Sequence, residues 1–139
     1  AIPKTSMAYC LQHLANWLSK SQRRDVKQAL RRLVSHDLEI VLVFVSPVES
    51  RKLNKTYRRN DRPTDVLSFA PSDESALGEL VLCPSVLKRQ AREHGLSFRR
   101  ELDYMLIHGV LHLLGFDHEK SEREARRMFA IQDQVFELL

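Results

Sequence analysis

His108, His112 and His118 are three of the chain's six histidines, and they fall within eleven residues. His108 and His112 stand four apart, which puts both rings on one face of a helix, about one turn from each other. Gly115 follows where such a helix would end, and glycine permits the backbone turn that a helix C-terminus often needs. That turn can carry His118 back towards the first two. Three imidazoles meeting at one point are a metal site in outline. Zinc is the natural occupant, with Zn–N bonds of about 2.0–2.1 Å and a fourth position left for water. Any one of these histidines alone would read as an ordinary core or surface residue. Three of them with a glycine at the turn favour the metal. Val110, Leu111, Leu113 and Leu114 bury the helix, and dry surroundings strengthen electrostatics at the site.

In the zinc-protease pattern H-E-x-x-H, the Glu after the first histidine is the general base. Here that position is Gly109. A zinc-bound water can still be acidified towards neutral pH, but the local base is missing, which weighs against an ordinary metallopeptidase. Glu79 and Asp117 are the nearest candidates for the base. Asp117 is read rather as the partner that orients a histidine ring. Arg58 is the other residue singled out. A guanidinium stays charged, grips phosphate through two parallel hydrogen bonds and can stabilise charge developing on phosphorus oxygens. A metal water beside a guanidinium suits a phosphodiester. The plainer reading of Arg58 is a surface residue, or an ion pair with Asp61 or Asp65.

The distribution of charge supports the same chemistry. The net charge is +4, a modest preference for polyanions. Arg51, Lys52, Lys55, Arg58, Arg59 and Arg62 fall within twelve residues, with only Asp61 against them. A second basic run, Lys20 to Arg32, reads as the solvated face of a helix. Asp117, Glu119, Glu122 and Glu124 make the region after the histidines acidic. The two cysteines, Cys10 and Cys83, are far apart without a CxxC neighbour, so free thiols are expected and cysteine ligation of the metal is not. No apolar run approaches the ~20 residues of a membrane span. The start carries no secretory pattern, and Ala1 in place of Met leaves open an initiator methionine or a longer leader ahead of it.

The 139 residues read as a single domain, 1–139, without repeat or linker. Residues 1–7 are a short strand or a loose end. Tyr9 to Leu18 and Ser21 to Val34 carry helical apolar spacing. Leu38 to Val45 is the clearest strand, β-branched and short. A helix from Val48 to Tyr57 follows, then a polar loop from Arg58 to Thr64. Strands are expected at Asp65 to Ala70 and Gly78 to Leu82. Pro84 opens a helix that Gly95 closes. Ser97 caps the next, whose inner face is Phe98, Leu102, Met105 and Leu106, and which carries the chain into His108 and His112. A last helix runs from about Ser121 to Leu138. The sum is an α+β domain, a small sheet covered by helices.

Two long motifs also resemble a known family. The string from His108 to His118, H-G-V-L-H-L-L-G-F-D-H, is similar to the signature H-G-x-L-H-L-x-G-[YF]-D-H of the YbeY rRNA-maturation endoribonucleases. The stretch from Leu53 to Phe69 resembles that family's L-N-x-x-Y-R-x-x-D-x-P-T-D-V-L-S-F, and Gly78-Glu79-Leu80 resembles its G-D-I element. Glu79 for Asp and Ala70 for Pro are departures, and the N-terminal part is not recognisable. The resemblance implies one zinc ion held by His108, His112 and His118, with Arg58 as the functional arginine. It implies cleavage of single-stranded RNA in small-subunit (16S-type) rRNA 3′-end maturation and ribosome quality control. Implied partners are ribosomal protein S11 and the GTPase Era, with no membrane. The implied fold is a small mixed sheet of about four strands with five or six helices, the metzincin-like zinc helix lying in a cleft. A bacterial cytoplasm is the implied home, or else a mitochondrion or other organelle of bacterial ancestry. Two other readings stay open: an rRNA-binding assembly factor with a structural zinc and little catalysis, and a hydrolase of another substrate, peptides included.

Overall fold

The apolar run that begins near Leu38 forms a strand, β1 (Glu39–Phe44), in a computed structural model that describes residues 39–71 and 76–137. The expected elements within residues 1–38, two helices and a possible strand, lie outside the described residues. The second basic run and Cys10 lie there too. Ser46 then caps α1 (Pro47–Arg58), its hydroxyl accepting from the Glu49 amide at 3.2 Å. Strands β2 (Val66–Phe69) and β3 (Ala76–Leu82) follow, then α2 (Pro84–His94), α3 (Phe98–Leu113) and α4 (Glu122–Glu137). The strand and helix boundaries expected from sequence agree with these to within a few residues. Among the described residues the count is three strands and four helices. That is fewer than the four strands and five or six helices expected, and the remaining expectations fall on residues 1–38.

The sheet is mixed. Its order is β1-β3-β2, with β1 parallel and β2 antiparallel to the central β3. Helix α3 lies across β2 and β3 and also packs on α2 and α4. Leu80, Leu82, Leu87, Ile107, Val110, Leu111 and Met128 are its fully enclosed centre. Phe98 and Leu102, expected on the inner face of α3, are only partly buried against that core.

One element departs from its sequence reading in an informative way. The helix expected from Val48 to Tyr57 is present, but its apolar ends are not its buried side: Val48 and Tyr57 are exposed, and the buried residues are Ser50 and Asn54. These two polar side chains hold the following loop in place. The Ser50 hydroxyl accepts from the Thr64 amide at 2.9 Å and donates to the Thr64 carbonyl at 3.1 Å. The Asn54 side-chain amide donates to the Arg62 carbonyl at 2.8 Å. Burying polar groups is tolerable only when they are bonded in this way. The polar loop after Arg58 is therefore fixed against α1, and it positions Arg58 at the helix end.

Candidate metal centre and cleft

The C-terminal half of α3 carries His108 and His112 on one face, as the four-residue spacing requires. The helix ends at Leu113, and Gly115 adopts φ +103°, in the left-handed region that favours glycine. The chain turns there, and His118 comes back to the other two. One nitrogen from each ring can be chosen so that all three lie within 4.8 Å of one another. Ring centroids are 4.7–5.1 Å apart, and His118 Nδ1 lies 3.1 Å from His112 Nε2. Nitrogens bound tetrahedrally to one zinc stand about 3.3–3.4 Å apart, given bonds of about 2.0–2.1 Å, close to the His112–His118 separation and within the 4.8 Å span of the set. The donor set therefore fits a metal ion.

The state of the rings fits as well. Burial pushes the pKa of His108 below the ordinary imidazole value. Burial, reinforced by the neighbouring His108 and His118, lowers that of His112 to about 4. Neutral imidazoles are the form that binds a metal. His108 Nδ1 faces Gln132 Oε1 at 3.0 Å, which puts the ring proton on Nδ1 and leaves Nε2 free as a ligand. Gln132 is wholly buried, and its amide nitrogen donates to the Tyr104 carbonyl at 3.0 Å. The orienting partner of a histidine is thus Gln132, not Asp117 as expected; the Asp117 carboxylate instead accepts from the Glu119 amide. Sequence reading missed Gln132, although a signal was present: it sits four after Met128 and three before Val135, a polar residue inside the buried stripe of α4. Phe129, one turn before Gln132 on α4, is 38% exposed and stacks on His108 with a centroid separation of 5.9 Å.

Gly109 has a structural explanation. A Cβ there would stand 2.7 Å from Leu80 Cδ2, and Leu80 is fully enclosed on β3. The helix rests on the sheet at this glycine, and the Ser68 hydroxyl of β2 donates to its carbonyl at 3.3 Å. A Glu at this position would have to displace the enclosed Leu80 side chain.

The three histidines line a cleft of about 1150 Å³ between α3, β2, the end of α1 and α4. Arg58 lines the same cleft, so the structure brings together all four residues singled out from sequence. Its guanidinium donates to Glu119 at 2.6 Å, and the same carboxylate oxygen lies 4.0 Å from His118 Nε2. The expected partners are otherwise engaged: Asp61 pairs with Arg51 at 2.7 Å, and Asp65 accepts from the Val66 amide. A single carboxylate thus separates the guanidinium from the histidine cluster. Of the two candidate bases, Asp117 lines the cleft with Asp65 and Glu119, whereas Glu79 on β3 is not among the lining residues. Cys83 is a free buried thiol outside the cleft. No helix among the described residues is long and apolar enough to cross a membrane.

Comparison with known proteins agrees with the two motifs. The sequence profile of the family described as Endoribonuclease YbeY matches residues 9–139. A relative from Bdellovibrio bacteriovorus, named Endoribonuclease YbeY, is 48% identical over 139 residues, covering 100% of this chain and 88% of its own. Another of that name, from Persephonella marina, is 41% identical over 83% of this chain and 82% of its own. The solution structure of a Thermotoga maritima protein is similar with a TM-score of 0.54 and 32% identity, covering 95% of this chain and 82% of that one. With a match over nearly the whole chain and relatives this similar, the chain belongs to the Endoribonuclease YbeY family.

Proposed function

We propose that this protein is a zinc-dependent endoribonuclease that cuts single-stranded RNA, acting in 3′-end maturation of small-subunit rRNA and in ribosome quality control. The observation that supports it best is the meeting of three imidazoles and a guanidinium in one cleft. His108, His112 and His118 would hold one zinc ion. When bound, the ion supplies Lewis acidity towards a phosphoryl oxygen and a nucleophile at neutral pH. Arg58 takes a non-bridging oxygen of the phosphodiester and steadies the charge that builds on it. To do so it exchanges the Glu119 carboxylate for phosphate. That exchange is cheap, because the ion pair is solvent-exposed and such pairs are worth about 0–1 kcal/mol. Asp117, Asp65 and Glu119 are the cleft carboxylates available to take the proton. The family resemblance adds ribosomal protein S11 and Era as partners and the bacterial cytoplasm as the compartment.

The test is cleavage of a single-stranded oligonucleotide by purified zinc-loaded protein. Arg58→Ala should lower the rate by roughly 10²–10³-fold, as removal of one transition-state donor does. An unchanged rate would remove Arg58 from the reaction. Tight, salt-sensitive RNA binding with no turnover by the wild type would favour the assembly-factor reading instead.

A further inference from the structure

Tyr57 is a large aromatic side chain left 64% exposed, and it lines the cleft immediately before Arg58. Its neighbour is Phe69 of β2, with ring centroids 5.1 Å apart and planes at 78°. An edge-to-face contact of this kind fixes the ring's orientation and covers at most one of its two faces. The Tyr57 hydroxyl has no hydrogen-bond partner among the described residues. Neither the core nor a polar network therefore accounts for the residue. Two guanidinium groups line the same cleft: Arg58, whose only ion pair among the described residues is the exposed one with Glu119, and Arg62, which has none among them. A flat apolar face beside two guanidinium groups matches a polymer that alternates flat bases with phosphates.

We propose that Tyr57 is a nucleobase-stacking platform, which seats one unpaired base beside the phosphate held by Arg58 and makes the cleft select single-stranded RNA. This rests on the RNA reading above and supplies what that reading lacks, a physical source of the strand preference. Phosphate contacts alone do not discriminate, since duplex and single strand both carry them. A base inside a duplex has both faces covered by its neighbours and cannot offer one to Tyr57, whereas an unpaired base can. A stacking platform of this kind takes any of the four bases, because every base has a π-face.

The test compares three fluorescent probes by anisotropy: a short single-stranded RNA, the same strand with abasic residues, and its duplex. Wild type is compared with Tyr57→Phe, which keeps the ring, and Tyr57→Leu, which keeps apolar cover over Phe69 but has no flat face. Thermal melts check that both variants are folded. Tyr57→Leu should weaken binding of the intact single strand by about 5- to 150-fold, the equivalent of one base–aromatic stack. Tyr57→Phe should stay within about twofold of wild type, and neither variant should alter binding of the abasic strand or the duplex. A folded Tyr57→Leu that binds the intact strand as wild type does would overturn the platform. So would an equal loss on the abasic strand. Wild type that binds none of the three probes would overturn the RNA reading itself, and the platform with it.

Discussion

Among individual residues, Gln132 has the most specific duty. It is wholly enclosed, accepts from His108 Nδ1 with its oxygen, and donates its nitrogen to the Tyr104 carbonyl. Tyr104 is itself tied to α4 by its hydroxyl, which donates to Asp133 at 2.6 Å. Gln132→Leu should therefore release the His108 ring and weaken zinc binding by about 10–100-fold, as loss of a ligand's hydrogen-bond partner typically does. Competition with a chromophoric chelator measures this, and an unchanged affinity would show that packing alone orients His108. The contrast with the histidines explains what was legible at this scale. Their convergence rests on local rules, helical spacing and a glycine turn, so it could be read directly. The partner of Arg58 could not, because Glu119 lies 61 residues away and only the tertiary fold brings it there. Asp61 and Asp65 were nearer in sequence and were the wrong choice, since Asp61 is claimed by Arg51 and Asp65 by its own strand's amide.

Helix α3 is the element on which the site depends, and two contacts set its position. The first is the close approach at Gly109. Gly109→Ala gains about 1 kcal/mol of helix propensity but overpacks against Leu80 at a typical cost of about 1–3 kcal/mol. A net loss is expected, because Leu80 is enclosed and cannot swing away. In a Leu80→Ala background the same substitution should become stabilising, and denaturant unfolding of the four proteins of that cycle would reveal a failure of the sign to reverse. The second contact joins the end of α2 to the start of α3. His94 Nδ1 lies 2.9 Å from the carboxylate of Glu101, a residue with 0% exposure. The hydrogen bond to Glu101, and then its charge, raise the His94 pKa above 6.5. A raised folded-state value means that folding favours the protonated ring. The contribution is full below about pH 6.5 and fades as pH rises through the folded value. The stability difference between wild type and His94→Gln should accordingly be largest near pH 6 and shrink by about pH 8. A difference that grows with pH would contradict the ion pair. Element types and caps were legible because Ser97, Gly95 and Pro84 act locally. The burial of α1 through Ser50 and Asn54 was not, because apolar spacing says nothing about a helix that buries polar groups bonded to a loop.

For the molecule as a whole, function resides in how the sheet order shapes the cleft. Among the described strands, placing β3 at the centre leaves β2 at an edge beside α3, and the gap between them receives the end of α1 with Arg58 and the face of α4 with Gln132 and Phe129. Strand pairing is a long-range choice, and hydrophobic alternation within each strand does not disclose it. The α+β class was legible and the order β1-β3-β2 was not. In the proposed function, RNA cleavage requires one zinc ion held by His108, His112 and His118. Titrating zinc back into chelated protein while following cleavage of single-stranded RNA tests this requirement. Activity should be absent after chelation and return in full at one zinc per chain, and His112→Ala should neither retain zinc nor recover cleavage. Undiminished cleavage by the chelated protein, or by zinc-free His112→Ala, would contradict it.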